Sequence, residues 1–446
     1  MSRSFGVREE TLAIDRLAYG GSGFGRIEGK ACFVPFAAPG DVVRVRVRRE
    51  TVSYAEAEII ELVESSPLRT SPPCPVFGRC GGCHWQHIGY SAQIAAKEEI
   101  FGGALWRLAR VERERLLPAL AADEPWGYRS RVQVKLYGRG REFRVGFFAP
   151  GSHFVVDLPG SCAVAHPAIN DALGVLKQVV EEFPERDRLP QIDLAAGDDG
   201  AVVITIHYIG DGPNRAAEFW RSQSRRLTPI GGACLQRGRK STVTALFGEQ
   251  RLAYTVPALT ASGEWDNMRL AFSAGSFSQV NYSQNRALVR TALEWGNLAG
   301  GERVLDLCCG NGNFSLPFAP RAGEVVGLET GEQSVADARH NAVTHGIDNA
   351  RFEVQDGAAG LRRFIAGGEQ YDLVIIDPPR SGAAEMAGLL GEVGATAVLY
   401  VSCDPQTLGR DLSRLQKGGY RVVKSRVVDM FPQTYHIESI TLLARV

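Results

Sequence analysis

The sequence predicts an α/β protein. Its C-terminal half reads as an open, largely parallel sheet, preceded by a small N-terminal β-barrel and a β-rich middle. Three observations predict this. From Gly301 onward, short apolar runs alternate with helical stretches, each run ending in an acidic residue, a glycine turn or a cysteine. Between residues 5 and 62, glycine turns separate short alternating segments, which a closed barrel accommodates economically. From Tyr128 to about Leu270 the chain is again strand-rich. A chain of 446 residues is too long for one core, and about two to four domains are expected.

Composition narrows the class. With 44% hydrophobic and 22% charged residues this is an ordinary globular chain, and no apolar run approaches the ~18 residues of a membrane span. The start, MSRSFGVREETLAID, lacks a signal-peptide core, so a cytoplasmic protein, monomeric and away from membranes, is expected. Fifty basic residues balance fifty acidic ones, so any polyanion site must be local. Nine cysteines, odd in number and unevenly spaced, do not form a secreted disulfide framework; clustered thiols in a reducing compartment point to metal or redox chemistry.

In the first segment, VVRVRVRR places Val43, Val45 and Val47 on one face and Arg44, Arg46 and Arg48 on the other. The basic face suits a phosphate backbone, although an amphipathic strand with a solvated basic face explains the pattern as well. AYGGSGFGRIEGKACFVPFAAPGD with this strand resembles a TRAM domain, a small OB-like RNA-binding module.

After ESSPLRTSPP comes CPVFGRCGGCHWQHIGY, in which Cys74, Cys80 and Cys83 follow C-x5-C-x2-C among glycines that let the backbone bend. A closed site needs a fourth ligand, and Cys162 in PGSCAVAHP is the best candidate. Four thiolates suit zinc or an iron–sulfur cluster. Zinc sites commonly use two short knuckles and only one is present, which favours a four-iron cluster. His84 and His87 keep a three-cysteine, one-histidine zinc site open. Residues 91–112 read as a helix capped by Ser91, with Ile94, Ile100, Leu105 and Leu108 as its packing face.

The middle opens with a hairpin turning at Tyr137–Gly140. Arg129, Arg131, Lys135, Arg139, Arg141 and Arg144 are interleaved there with Tyr128, Tyr137, Phe143, Phe147 and Phe148. Cations among aromatics suit RNA, which offers phosphates and unstacked bases together. QRGRKST adds Arg237, Arg239 and Lys240, and residues 167–185 read as an amphipathic helix.

In the last part, ERVLDLCCGNGNFSLPFA is a strand, a glycine turn and a helix, with Gly310 and Gly312 admitting close approach of a ligand. A lone turn of this kind would also serve a dinucleotide. The context sharpens it. EVVGLE ends in Glu329, which can accept both hydroxyls of a ribose, and RFEVQDG ends at Asp356, beside the expected adenine. YDLVIIDPPRSG ends at Asp377, and VLYVSCDPQTLGRDL carries Cys403 at a strand end. This order is that of class I, Rossmann-like S-adenosylmethionine-dependent methyltransferases. GSFSQVNYSQN places Gln279 and Asn281 just before them.

FSQVN, DLCCGNGNFSL, GLE, IIDPPRSG, YVSCDPQTLGRDL and DMFPQTYHIESI together resemble the RNA uracil-5-methyltransferase family, which makes 5-methyluridine in tRNA and 23S rRNA. The cysteine run is similar to the cluster-containing rRNA branch, which implies a 4Fe-4S cluster on Cys74, Cys80, Cys83 and Cys162. Two positions depart from the pattern: Cys308 stands where an aromatic is common, and Asp356 where Asn also occurs. The implied layout is a TRAM-like RNA-binding barrel over residues 1–63 and a central cluster and RNA-binding domain over 64–270. A catalytic domain over 271–446 follows, with helix 91–112 packing on it.

Carbon 5 of uracil is a poor nucleophile until a thiolate adds to carbon 6 and pushes charge onto carbon 5 and oxygen 4. Cys403 is the candidate nucleophile. The resemblance implies Glu438 in HIESI as the base that takes the carbon-5 proton, and Asp377 is placed to orient the uracil edge. Gln279, Cys308, Gly310, Asn313, Glu329, Asp356 and Asp377 are the expected S-adenosylmethionine contacts. A stacked uridine cannot reach such a pocket, so the base must be flipped out. The favoured substrate is 23S rRNA. A tRNA uracil-5-methyltransferase, a cytosine methyltransferase and a non-catalytic iron–sulfur RNA-binding protein are the alternatives.

Overall fold

In the computed structural model, residues 8–139, 142–238 and 242–446 are described. Strands Glu9–Leu17, Gly23–Ile27, Lys30–Val34, Val42–Glu50 and Tyr54–Glu64 close into a barrel. Val43 and Val45 are fully buried in it with Leu12, Ile14 and Cys32. The opposite face is self-neutralised: Arg44 bonds Glu61 at 2.7 Å and Glu9 at 3.3 Å, and Arg46 bonds Glu9 at 3.1 Å. A basic row facing a glutamate row on paired strands is an amphipathic surface, and these arginines offer RNA little free charge.

A seven-stranded sheet forms the middle, with helices Pro167–Glu182 and Pro213–Ser222 packed against it. The expected hairpin exists, pairing Arg131–Arg139 with Glu142–Phe148, but Tyr137, Gly138 and Arg139, expected in its turn, continue the first strand opposite Arg144, Phe143 and Glu142. Gly140, Arg141, Arg239 and Lys240, and the Arg139 side chain, lie outside the described residues. The first of these helices stops at Glu182, short of the expected 185. Pro184 follows, and the residue before a proline disfavours the helical region; Phe183 is accordingly extended at ψ 122°.

Helix Tyr90–Ala109 differs from expectation at both ends. Gly89, not Ser91, is the N-cap, and Arg110 terminates the helix in the left-handed region at φ 53°, before residue 112. Its buried face is Gln93, Ala96, Lys97, Phe101, Ala104 and Leu105, whereas Leu108 is over one-third exposed. Two polar side chains therefore lie on the packing stripe, where an apolar count cannot see them. Phe101, Leu105 and Ala109 share a core with the C-terminal sheet. A Cβ added to Gly409 would sit 2.8 Å from Leu108 Cβ, so this helix approaches helix Pro405–Lys417 closely.

The C-terminal sheet runs, in spatial order, Ala350–Val354, Glu324–Glu329, Arg303–Asp306, Leu373–Ile376, Ala397–Ser402, Glu438–Arg445 and Tyr420–Val428. The first five are parallel and the last two pair antiparallel. Val325, Val326, Ile375, Leu399 and Val401 are fully buried, as a sheet covered on both faces requires. Among the described residues no helix is long and apolar enough to cross a membrane.

Candidate active site

The carboxyl ends of the five parallel strands share one edge of the sheet. Asp306 and Glu329 close their strands, Asp356 follows Val354 by two residues, Asp377 follows Ile376, and Cys403 follows Ser402. Ligands of open α/β sheets collect at this edge. The antiparallel strand adds a sixth group. Ser402 pairs with Ser439, so the next residues along, Cys403 just past the end of its strand and Glu438 at the start of its own, come opposite one another.

Charge is tightly packed there. Glu438 is only 3% exposed, its Oε1 has no hydrogen-bond partner, and burial followed by Asp377 pushes its carboxyl well above the usual range, against the pull of Arg380. Burial, then Asp306 and Glu329, raise Asp377 to about 7. Burial, then Glu438 and Asp377, push the Cys403 thiol up to about 12, again opposed by Arg380. Gln279 Nε2 donates to Asp377 Oδ2 at 3.3 Å. An adjacent cation would return carboxyls held this high toward their ionised forms.

The glycine turn lies on the same edge. Gly310 and Gly312 have φ of 55° and 92°, and a Cβ on Gly312 would lie 2.5 Å from Leu316 Cδ1. The part-buried Cys308 thiol is raised by burial and then by Asp377, Asp306, Glu329 and Asp356, so it marks where the strand-end carboxylates converge. Glu329 Oε1 accepts the Gly331 N–H at 2.8 Å, and Asp356 caps helix Gly357–Ala366 through Ala359 N. Asn313 has its amide committed elsewhere. It exchanges hydrogen bonds of 2.8 and 3.0 Å with Asn285 and accepts from Tyr254 Oη at 3.1 Å.

The N-terminal half reaches the site directly. Tyr19 Oη donates to Asp404 Oδ2 at 2.5 Å, one residue from Cys403, and Asp404 also caps its helix through Gln406 N and Thr407 N. The loop leading into Glu438 is pinned by the helix Tyr90–Ala109. Lys97 Nζ, fully buried, bonds Asp429 Oδ1 at 2.5 Å and Phe431 O at 2.9 Å. Gln93 clamps Gln433, donating to its Oε1 at 2.9 Å and accepting from its N at 3.0 Å. Gln433 sits at φ 67°, and its carbonyl accepts the N–H groups of His84 and Trp85. The segment following Cys83 and the approach to Glu438 are thus bonded to one residue.

Cys74, Cys80, Cys83 and Cys162 line one cavity of about 440 Å3, together with Arg129, Arg131 and Phe147. Burial raises the thiols of Cys80, Cys83 and Cys162, and the fields of the other cysteines add to it. Gly78 at φ 82° turns the segment, and Gly82 N–H donates to Cys80 Sγ at 3.4 Å. Neither His84 nor His87 lines this cavity. Among the described residues no three His, Cys, Asp or Glu are gathered as a single-ion site.

Residues 89–446 match the family described as tRNA (uracil-5-)-methyltransferase, and residues 3–60 match the TRAM domain. The chain belongs to the uracil-5-methyltransferase family. It is an RNA uracil-5-methyltransferase that uses S-adenosylmethionine. A 23S rRNA (uracil(1939)-C(5))-methyltransferase RlmD of Alkalilimnicola ehrlichii is 38% identical over 97% of this chain and 96% of its own. RlmD of Alcanivorax borkumensis is 35% identical over 98% and 96%. The tRNA (uracil-54, C5)-methyltransferase of Pyrococcus abyssi, solved with S-adenosyl-L-homocysteine, shares the fold with a TM-score of 0.72. It is 24% identical, over 98% of this chain and 100% of that one.

Cys403, Glu438, Asp377 and Gln279 come together, as do Cys308, Glu329 and Asp356 around the glycine turn; Cys74, Cys80, Cys83 and Cys162 share a cavity. Asn313 joins a buried polar network. Of the middle cation–aromatic set, Arg144 lies 4.4 Å from the centroid of the exposed Phe154 ring and Lys135 5.3 Å from that of Phe148, whereas Tyr128 is buried and donates to Pro432 O at 2.9 Å. Sequence reasoning passed over Asp306, which ends a strand as Glu329 does, and Arg380, which lies inside the motif IIDPPRSG. Tyr19 and Gln93 carried no local signal, because their partners lie over 300 residues away.

Proposed function

We propose that this chain methylates carbon 5 of the 23S rRNA uridine equivalent to the one named in its RlmD relatives, through a covalent bond from Cys403 to carbon 6. The observation that carries this is the Ser402–Ser439 register, which sets Cys403 and Glu438 opposite each other beside Asp377. The identity to RlmD proteins over nearly the whole chain favours rRNA over tRNA. Nine cysteines that form no disulfide suit the reducing cytoplasm, and we place the chain there as a monomer.

Gln279 holds Asp377 toward the pocket, and Asp377 orients the edge of a flipped uracil. As Cys403 Sγ bonds carbon 6, its proton passes to the Asp377–Glu438 carboxyl pair and on to water, and the C5=C6 electrons move to carbon 5 and oxygen 4. Arg380 favours the anionic thiol and carboxylate at this point. S-adenosylmethionine supplies an electrophilic methyl on a sulfonium. Cys308, Glu329, Asp356 and the turn at Gly310 would hold it, with Asn313 fixing the turn through Asn285 and Tyr254. Carbon 5 takes the methyl, and the sulfonium carbon–sulfur electrons stay on sulfur. Glu438 then removes the carbon-5 proton, C5=C6 re-forms and Cys403 leaves as thiolate.

Cys74, Cys80, Cys83 and Cys162 line one cavity and offer the four thiolates that a 4Fe-4S cluster takes as ligands, and we place such a cluster there. Its proposed role is to shape the RNA-binding surface. The chain divides functionally into a barrel at 1–63, a central part at 64–270 and a catalytic part at 271–446, with helix Tyr90–Ala109 serving the last. The test is to map 5-methyluridine in RNA from cells with the gene intact, deleted, and carrying Cys403→Ala. The rRNA reading requires loss of one 23S rRNA position in both altered strains; loss confined to tRNA contradicts it.

A further inference from the structure

The stretch that carries Gln279 has two sides. Gln279 turns its amide to Asp377 Oδ2 at 3.3 Å, whereas its neighbours Phe277, Ser278 and Val280 line the cavity shared by Cys74, Cys80, Cys83 and Cys162. Ser278 and Gln279 are both buried. One short piece of backbone is therefore a wall of the proposed cluster site and the support of Asp377.

Hydrogen bonds tie this piece to the cysteines through residues 129–131. Ser130 donates to Val280 O twice, from N at 2.8 Å and from Oγ at 3.0 Å, and Arg131 Nη1 donates to Ser276 O at 2.7 Å. On the other side, Arg129 donates its N–H to Val164 O at 2.8 Å and accepts that of His166 at 2.9 Å, beside the Cys162 turn that Ala165 N closes on Cys162 O. Arg129 and Ser130 thus lie between Cys162 and the Gln279 stretch, bonded to both. Cys74, Cys80 and Cys83 sit in turns, with no helix or strand between Glu64 and Tyr90. A segment of that kind takes its order from what its thiolates hold, because metal binding and folding are coupled.

We propose that the cluster braces Gln279. With the four thiolates ligated, the cavity wall at residues 277–280 is fixed and Gln279 stays within reach of Asp377; without the cluster the wall relaxes and that contact is lost. Ser130 and Arg131 are the positioning residues that pass the restraint on. A misplacement of about 1 Å in a supporting group is enough to slow a reaction heavily. The proposal rests on a 4Fe-4S cluster occupying this cavity and on Asp377 orienting the uracil. It adds an effect on the chemical step to the cluster's part in RNA binding.

The test compares anaerobically purified holoprotein with the same chain stripped of iron by a chelator, each as wild type and as Gln279→Ala. Methylation of a 23S rRNA fragment carrying the target uridine is followed in single turnover at saturating RNA. Stripping is expected to lower the rate about tenfold in wild type. In Gln279→Ala it should lower it less than about twofold, because the group it displaces is already gone. Hydrogen exchange reads the brace without activity: on stripping it should speed up about tenfold at the amides of Arg129 and Ser130 and stay unchanged in the barrel strand Val42–Glu50. The proposal is overturned by an equal stripping factor in both backgrounds, by a Gln279→Ala holoprotein as fast as wild type, or by exchange that is unchanged at Ser130 or rises equally in the barrel. If Gln279→Ala fails to fold, Gln279→Met, similar in size but without the donor, takes its place, and if neither folds the wild-type exchange decides. A wild-type chain purified without iron and sulfide overturns the cluster reading, and the brace with it.

Discussion

Lys97→Met should destabilise the protein far more than a helix substitution ordinarily does. Lys97 and Asp429 are both fully inaccessible, and their charges meet at 2.5 Å. Burial alone lowers the lysine pKa, and Asp429 pulls it back. Removing the cation leaves a buried carboxylate whose remaining side-chain donor is Tyr90 Oη at 2.7 Å. Breaking a buried pair by deleting one partner costs about 3–5 kcal/mol. The surviving tyrosine bond retains part of that, so a loss of roughly 3 kcal/mol is expected. The double variant Lys97→Met/Asp429→Asn removes both charges and should recover more than half of it. Urea unfolding of wild type, both single variants and the double variant gives the coupling energy directly. Because Lys97 also holds Phe431 O, methylation kcat should fall in the single variant even well below its unfolding transition. A loss under about 1 kcal/mol for Lys97→Met, with an unchanged m-value, would refute this account of how the Glu438 loop is anchored.

Tyr19→Phe should lower kcat severalfold at a cost of about 1–2 kcal/mol, since one hydrogen bond to a half-buried carboxylate is lost. Asp404→Ala should cost more, because the cap of its helix goes too; equal effects in urea unfolding would disconnect Tyr19 from Asp404. Alkylation of Cys403 by iodoacetamide, followed by peptide mass spectrometry, should be slow at pH 8 and climb tenfold per pH unit through pH 10. The sign follows from the thiolate being the reactive form and from a pKa pushed up to about 12; a plateau near pH 9 contradicts it. Protein purified anaerobically should be brown with bound iron and sulfide, and Cys162→Ala should lose both colour and RNA affinity. A colourless chain holding one zinc contradicts the cluster.

Much of the candidate site was legible because ligands of open α/β sheets collect where parallel strands end, and VLDL, VVGLE, LVII and VLYVS mark those ends in sequence. The same rule applied evenly would have included Asp306. Glu438 was named by resemblance alone: HIESI has no local signature, and the antiparallel register that brings Glu438 opposite Cys403 is encoded in no single segment. The basic strand VVRVRVRR was read correctly as a strand, but the glutamates that neutralise it lie on neighbouring strands. Helix Tyr90–Ala109 shows the opposite limit. Its apolar pattern located the helix, while its function in the fold rests on Gln93 and Lys97, polar residues on the buried stripe whose partners, Gln433 and Asp429, are more than 300 residues distant. Asn313 likewise sits in a cofactor motif but gives its side chain to Asn285 and Tyr254.

The most direct test of the central claim is denaturing gel electrophoresis of the Glu438→Gln variant after incubation with S-adenosylmethionine and the radiolabelled rRNA fragment. If Cys403 attacks carbon 6 and Glu438 completes the reaction, this variant accumulates a protein–RNA adduct that survives denaturation. The Cys403→Ala/Glu438→Gln double variant then forms none. Product formation by Cys403→Ala, or an adduct that persists without Cys403, would contradict the account.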